Sequence, residues 1–543
     1  MLNFLTKSGR RAGLSVLAAP FLLATASCTD LTVQPHDSLT PDNAFKSDAE
    51  ILAGVAGIYA TLRVLDNNVG YMSIEEVTTD MTIVPTRGSD WFDNGQWLEM
   101  HRQTWTPSSA GASTFLNSSW NDMFGAIAKE NLMIDVVTKA NSGAKGDSTL
   151  AELRTLRAFH YYLLMNMFGG VPLVTQYPTP GPSARVTRDS VFKFIEAELL
   201  AARDKLPLKW PAAYYGRLTK GAANALLATI YLNAGVFKKD VGPAAVTGKI
   251  NPTSYNSCNG IAVTGGDACA MAIAAANAVI TSNQYTLSAN WADNFSLTNK
   301  NSTENIFVIE HSKDKEIGGN WPMRTLHYNQ LNTGWGSPWN GFATTAETFA
   351  QFSATDDRRS MWLFGQAKSF QTGANVNDRA GAPLIFTPTI ANAASANEAE
   401  GVRFNKFPPL ADAPSGNGHP NDFTVFRLAE MYLIKAEAEN EAGQTANALT
   451  DLKFIHDKHD AANAITAATQ AQIRDAILKE RLLEFAAEGK RRTDLIRHGK
   501  FTTWTEASAN GVSNTARSPH LIVFPIPAPQ FASNNKLVQN AGY

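Results

Sequence analysis

Residues 479–500 read KERLLEFAAEGKRRTDLIRHGK, and the reading of this stretch decides the fold. Only 18% of the 543 residues are charged, yet here acids and bases crowd a short span. Three readings compete: an active site of paired carboxylates, a basic surface for a partner, or a scaffold helix. Leu478, Leu482, Phe485, Gly489 and Ile496 fall near one helical face, which predicts a buried side. Glu488 with Arg492 forms an i,i+4 pair, and Arg481 with Glu484 an i,i+3 pair. Arg491, Asp494 and Arg497 remain to tie the helix end to neighbouring loops through bidentate bonds. The scaffold reading accounts for most of the residues.

Working outward, the same period continues. DFTVFRLAEMYLIKAEAENEAG (422–443), TANALTDLKFIHDKHDA (445–461) and QAQIRDAILKERLLEFAAEGKRRTDLIRHG (470–499) each read as one helix. Upstream, helices are predicted over 47–65, 120–140, 149–168, 188–207, 218–235 and 269–283. The first is capped by Ser47 or Asp48 and the fourth by Asp189 or Ser190. Helix pairs with Ala at close-packing positions resemble tetratricopeptide repeats, in which one pair cannot bury its apolar face alone. Residues 66–119 show no sustained period and read as long loops. ENIFVIEHS (304–312) is a strand candidate inside a Gly-, Asn- and Trp-rich region. The expected fold class is therefore mainly α: a tetratricopeptide-like helical-pair scaffold with long loop insertions and little β. One domain is expected over 46–543, with scaffold at about 46–285 and 421–500, a loop-rich insertion at about 286–420 and an irregular tail at 501–543.

The N-terminus carries processing signals. Lys7, Arg10 and Arg11 precede an apolar run, LSVLAAPFLLATAS (14–27), too short and too abruptly ended for a stable membrane span. Residues 1–27 read as a lipoprotein signal peptide and 28–45 as a lipidated N-terminus and tether. Cys28 after Ala26-Ser27 resembles the lipobox of bacterial lipoproteins, although Thr25 stands where Leu is commonest. Acyl chains on Cys28 would anchor the chain to a membrane, at about 0.8 kcal/mol per buried CH₂. The other cysteines, Cys258 and Cys269, fit a disulfide in an oxidising, exported context; no His lies close enough in sequence to complete a zinc site. With a net charge of -2 and no basic stripe, a nucleic-acid partner is not expected.

Several stretches together resemble the SusD/RagB family of outer-membrane nutrient-binding lipoproteins. AELRTLRAFHYYLLMNMFGGVPLV (151–174) is similar to the family's Glu-x-x-x-Leu-Arg-Ala helix and its Gly-x-Val-Pro-Leu end. WNDMFGAIAKEN (120–131), GRLTKGAANALLATIYLNAG (216–235) and FRLAEMYLIKAEAENEAG (426–443) resemble three more of its helices. The opening stretch fits ERxxEhxxEGxRxxDLxR, and VFPIPAPQF (523–531) with NNKLVQNAGY (534–543) resembles the closing segments. Two departures stand out. IHDKHDA replaces an Asn-x-x-Arg-x-Arg-Ala run, and Arg492 stands where an aromatic is common. The resemblance implies a non-catalytic, lipid-anchored protein on the cell-surface side of the outer membrane. It implies a SusC-like TonB-dependent transporter as partner, over which the protein acts as a lid, and an oligosaccharide or peptide as ligand, with no cofactor.

A sugar site without catalysis needs aromatic faces with amides, carboxylates or Arg beside them. Of the 11 Trp and 13 Tyr, two loops hold the best-placed set. TTDMTIVPTRGSDWFDNGQW (78–97) offers Arg87, Asp90, Trp91, Asn94 and Trp97. RTLHYNQLNTGWGSPWNGF (324–342) offers Tyr328, Trp335 and Trp339. The competing interior reading makes these Trp core or transporter-facing. A hydrolase would use paired carboxylates, with Asp90/Asp93, Glu75/Glu76 and Glu480/Glu484 as candidates; no Gly-x-Ser-x-Gly, HExxH or Walker A motif accompanies them. His456 and His459 share a helix face but lack an obvious third ligand, so a solvated pair is expected rather than a metal site. A helical-repeat adaptor that binds only proteins is the remaining alternative.

Overall fold

Ser47 opens the first helix with a capping box. Its hydroxyl accepts from the Glu50 N–H, and the Glu50 carboxylate accepts from the Ser47 N–H at 2.7 Å. Helix α1 spans Asp48–Tyr59, and short helices α2 (Tyr71–Val77) and α3 (Gln96–Arg102) follow in a region whose sequence has no sustained period. The computed structural model describes residues 44–140, 143–239, 250–313, 317–332, 336–506 and 517–543. The leader, Cys28 and Trp335 lie outside them. Residues Phe45–Tyr543 form one compact unit.

The scaffold is a continuous run of packed helices. α4 (Asn117–Ala140) packs on α5 (Gly143–Phe168), and α5 on α6 (Arg188–Arg203). α7 (Lys220–Leu232) packs on α8 (Ala268–Ile280), α8 on α9 (Leu428–Glu441), and α9 on α10 (Thr445–Asp460). α8 buries Ala272, Ala275 and Ala276 between its neighbours, and small side chains let helix axes approach. α6 starts at Thr187, whose hydroxyl accepts from the Ser190 N–H, rather than at Asp189 or Ser190. A disulfide joins Cys258 to Cys269 at the head of α8.

The insertion leaves the stack and returns to it through a two-stranded sheet. β1 (Asn305–Ile309) pairs antiparallel with β2 (Phe423–Arg427), Asn305 opposite Arg427 and Ile309 opposite Phe423. Sequence alone reads β2 as the start of a helix. All five of its residues are buried, and it zips the insertion's two ends, so burial on both faces overrides helical periodicity. Every other strand among the described residues has only two residues. The fold is mainly α with little β.

The decisive stretch departs from a single helix. α11 (Gln470–Phe485) stops, and the chain turns and restarts as α12 (Arg491–Arg497). Ala487 and Gly489 at the break have φ of 62° and 71°. A Cβ on Gly489 would also lie 2.7 Å from Met72 Sδ, so both conformation and space favour glycine there. Each residue of the pairs expected from helical spacing takes a partner from elsewhere, and the break separates Glu488 from Arg492. Glu488 meets Arg427 Nε at 2.9 Å and Lys406, while Arg492 meets Glu75 at 3.3 Å. Arg481 pairs with Asp494 at 2.8 Å, and Glu484 with Arg427 and Arg358 at 2.5 and 2.6 Å. Arg497 forks onto Glu437 at 2.6 and 2.8 Å. All of these side chains are buried.

The two histidines are also drawn inward. His456 bonds Glu480 at 2.8 Å and the Asn463 carbonyl at 2.7 Å; His459 bonds Asp357 at 3.0 Å. His456 belongs to the buried charge network and half-buried His459 lies at its edge against exposed Asp357, so the two are not the solvated pair expected from sequence.

Candidate functional site

Gly88 and Gly95 bracket a tight knuckle in the first loop. Arg87 and Asp90 exchange two backbone hydrogen bonds of 3.0 Å. Trp91, Asp93 and Asn94 then take φ of 62°, 39° and 56°, with Gly95 at 78°. Left-handed backbone at non-glycine residues costs on the order of 1–3 kcal/mol each and persists only when neighbours enforce it. Here the second loop does so. A Cβ on Gly341 would sit 2.3 Å from Trp91 Cε2, so only glycine lets the two loops close.

The structure brings the two loops together, and a third segment, 377–400, joins them. Arg87 is buried beneath the knuckle. Its guanidinium donates to the carbonyls of Asn340 (2.7 Å), Gly341 (3.0 Å), Asn397 (3.2 Å) and Glu400 (2.8 Å). Burial pulls its pKa down to about 10, partly offset by Tyr328, Glu400, Glu398 and Asp90, and it stays charged at neutral pH. With its donors spent on backbone, Arg87 sews the loops and offers nothing to a ligand.

Trp97 is 1% exposed; it packs on Trp91, Phe115 and Phe342, and its indole donates to Asp93 at 2.8 Å. Trp91, 9% exposed, lies edge-on to Trp97 at 5.0 Å and donates to the Trp339 carbonyl at 2.6 Å. These three residues correct the expectation: Arg87, Trp91 and Trp97 are the floor of the site, because large aromatics at a loop crossing are worth more packed than solvated.

Above this floor stands a smaller exposed set. Phe92 is 55% exposed and Asn94 is exposed beside it. Tyr328 and Trp339 are half-buried. The Tyr328 hydroxyl donates to Asp90 at 2.6 Å, and Arg379 lies 4.2 Å from the Tyr328 ring centroid. Arg379, with half its side chain exposed, reaches Asp90 at 3.1 Å and also Glu398. His327 bonds Glu398 at 3.0 Å from the buried side. Burial would raise the Glu398 carboxyl, but bonds from the Arg379 backbone and from His327 and Arg379 side chains hold it below the usual range. The outcome is a fixed rim of aromatic faces next to a carboxylate, a guanidinium and amides, suited to a polyhydroxylated ligand.

Phe92 and Arg379 escaped the sequence reading. Phe92 follows Trp91 directly, and where two neighbours point to opposite sides only one can enter the floor; the sequence favours neither. Arg379 comes from a segment with no pattern to mark it.

The proposed acid pairs have structural partners. Glu480 and Glu484 flank Arg358 at 2.6 Å each, Glu75 meets Arg492 and Thr493, and Glu76 accepts from the Gly489 N–H. Asp90 and Asp93 hold Tyr328 and Trp97.

Residues 275–543 match the family described as "SusD family", and residues 34–232 match "Starch-binding associating with outer membrane". The chain belongs to the SusD/RagB family. It is 24% identical to "SusD-like protein P25" of Formosa agariphila over 97% of this chain and 99% of that protein. It is 25% identical to "Starch-binding protein SusD" of Bacteroides thetaiotaomicron, over 96% of each. Among solved structures it resembles surface glycan-binding protein A from Bacteroides thetaiotaomicron in complex with laminarihexaose. That match has a TM-score of 0.68 and 20% identity over 91% of this chain and 99% of that one, and shows a shared fold.

Proposed function

We propose that this chain is a non-catalytic surface lipoprotein that captures an oligosaccharide and acts as the lid of a SusC-like TonB-dependent transporter. One observation carries the binding part: half-exposed Tyr328 is fixed against the Asp90–Arg379 pair, and the same two loops leave Phe92 exposed and Trp339 half-exposed, on a floor locked by Arg87 and Trp91. Rings stack on sugar C–H faces while the carboxylate, guanidinium and Asn94 serve hydroxyls. Membership of a family whose named relatives include a starch-binding protein and a glycan-binding structure supports the same ligand class. Cys28 is the lipid attachment point and residues 28–45 the tether that keeps the protein on the outer membrane's surface face. The ligand lies between the loop rim and the transporter mouth, so closing the lid sequesters it, and import energy comes from the transporter.

A glycan array on the soluble form lacking residues 1–28, followed by calorimetric titration of the best sugars, tests the binding part. Saturable binding without cleavage is expected; turnover of the sugar would instead favour a hydrolase. Replacing Cys28 with Ala should release the protein from membranes. Affinity purification from native membranes should recover a large β-barrel, and recovering none would count against the lid.

A further inference from the structure

A second aromatic platform lies away from the loop site, in the connection between α6 and α7. There LPLKWPAAYYGRL (206–218) leaves the helical stack. Trp210 and Tyr214 meet edge to face at 6.1 Å, and Arg217 lies 3.9 Å from the Trp210 ring centroid and 5.1 Å from that of Tyr214. Arg217 is held by Glu152 through two bonds, one of 2.9 Å, and the buried Glu152 also accepts from Tyr59 at 2.7 Å. The Trp210 indole donates inward to the Leu218 carbonyl at 2.7 Å, and the adjacent Tyr215 hydroxyl donates inward to Asp422 at 2.8 Å. The Trp210 and Tyr215 polar atoms are thus tied down while apolar area remains open: Tyr214 is 39% exposed, Leu208 54%, and Trp210 is half-buried.

Two recesses flank this ridge. One, of about 430 Å³, runs from Trp210 and Tyr214 to Tyr285 and β1; the other, of about 300 Å³, lies against α1 on Ile51 and Leu52. Trp210, Tyr214 and Arg217 line both. Each volume falls within or at the edge of the roughly 300–1,000 Å³ range of small-molecule sites. Lys209 and Lys300 line the larger recess and, among the described residues, belong to no ion pair; the exposed Asn301 adds an amide. Arg217 is neutralised by Glu152, so the charge of the lining favours neutral or acidic ligands over cationic ones.

Rigid, outward aromatic faces beside an amide and ammonium groups are the chemistry that recognises sugars. We propose that the Trp210–Tyr214 ridge is a second carbohydrate site, taking a short neutral or acidic oligosaccharide independently of the loop site. The inference rests on the glycan-binding reading, and its test separates the two.

The full mature chain and three variants are titrated calorimetrically with gluco-, xylo-, manno- and galacturono-oligosaccharides of three to six units. To these three, Phe92→Ala/Tyr328→Ala, Tyr214→Ala and Trp210→Ala, a fourth adds Tyr214→Ala to the loop pair, each checked by thermal melt; exposed Tyr214 covers the case in which Trp210→Ala fails to fold. We expect the loop variant to keep a weaker phase that Tyr214→Ala, added to it, weakens at least tenfold. Loss of all binding in the loop variant overturns the second site and leaves the loop reading intact. Residual binding indifferent to Tyr214→Ala overturns it too. If Tyr214→Ala alone removes binding and the loop variant does not, the ridge stands and the loop site falls. No binding by the unmodified chain overturns both.

Discussion

The stretch around α11 and α12 and the first loop, 78–97, invert what their compositions suggest. The first is dense in charge, yet Glu480, Arg481, Glu484, Glu488, Arg492, Asp494 and Arg497 are all buried. The second is rich in tryptophan, yet Trp91 and Trp97 are buried and Phe92 with polar neighbours faces solvent. In the first region each of these buried charges finds a partner on another element or turn. Burial would raise the Glu484 carboxyl, but Arg427, His459 and Arg358 outweigh it and hold it well below the ordinary range. The lesson concerns side-chain size: long Arg and Glu reach partners on distant elements, and large indoles fill a loop crossing. Neither charge nor aromaticity alone marks a surface.

Removing the hub of the charge network should have the largest effect. Arg427 donates to Glu304, Glu484 and Glu488 at 2.5–2.9 Å. Arg427→Ala leaves three buried carboxylates short of a partner and should cost about 3–5 kcal/mol, the usual range for breaking a buried pair. Chemical denaturation measures it. An unchanged midpoint would mean that water or rearranged lysines satisfy the acids and that the region is less dry than its burial implies.

Next in size is the contact that closes the loops. Gly341→Ala puts a methyl into the Trp91 ring, and overpacking of this kind costs about 1–3 kcal/mol. The knuckle should be displaced, so sugar affinity should fall together with the melting temperature. Phe92→Ala separates the two: it should weaken sugar binding roughly tenfold or more, in the range of an aromatic anchor, with the melting temperature nearly unchanged. If Phe92→Ala lowers stability and spares binding, the assignments of floor and rim are reversed.

How much of this could be read beforehand follows from the same contrast. Local period identified the helices, because i,i+3 and i,i+4 apolar spacing reports one buried face; α6, expected over 188–207 and found at Arg188–Arg203, buries Val191, Phe192, Ile195, Leu199 and Ala202 on such a face. It failed at 486–490, where Ala487 takes a left-handed conformation that no residue type announces, and at β2, whose partner β1 lies more than a hundred residues upstream. The site shows the same limit. Both loops were identifiable from Trp, Asn and Gly content, but which rings face inward depends on a crossing held by Arg87 and Gly341, a long-range fact. Arg379, from a third segment, carried no local signal.

The pH dependence of stability tests whether the buried region is dry throughout. Glu76 is an exception there: burial pushes its carboxyl up to about 8, only partly offset by the Gly489 N–H and Lys406. The unfolded chain releases this proton above about pH 4.3, whereas the folded chain keeps it until about pH 8. Between those limits the folded state binds more protons, so this group's contribution to stability falls as pH rises. Glu484, held low, has the opposite sign: its contribution is present above about pH 4.3 and is lost as pH falls toward its folded value. Glu76→Gln keeps an acceptor for the Gly489 N–H and removes the titration. Its stability should match the unmodified protein near pH 5 and exceed it increasingly toward pH 8, on the order of 1 kcal/mol per pH unit at most. Parallel pH–stability curves would show that Glu76 stays ionised in the fold, with water or a cation beside it.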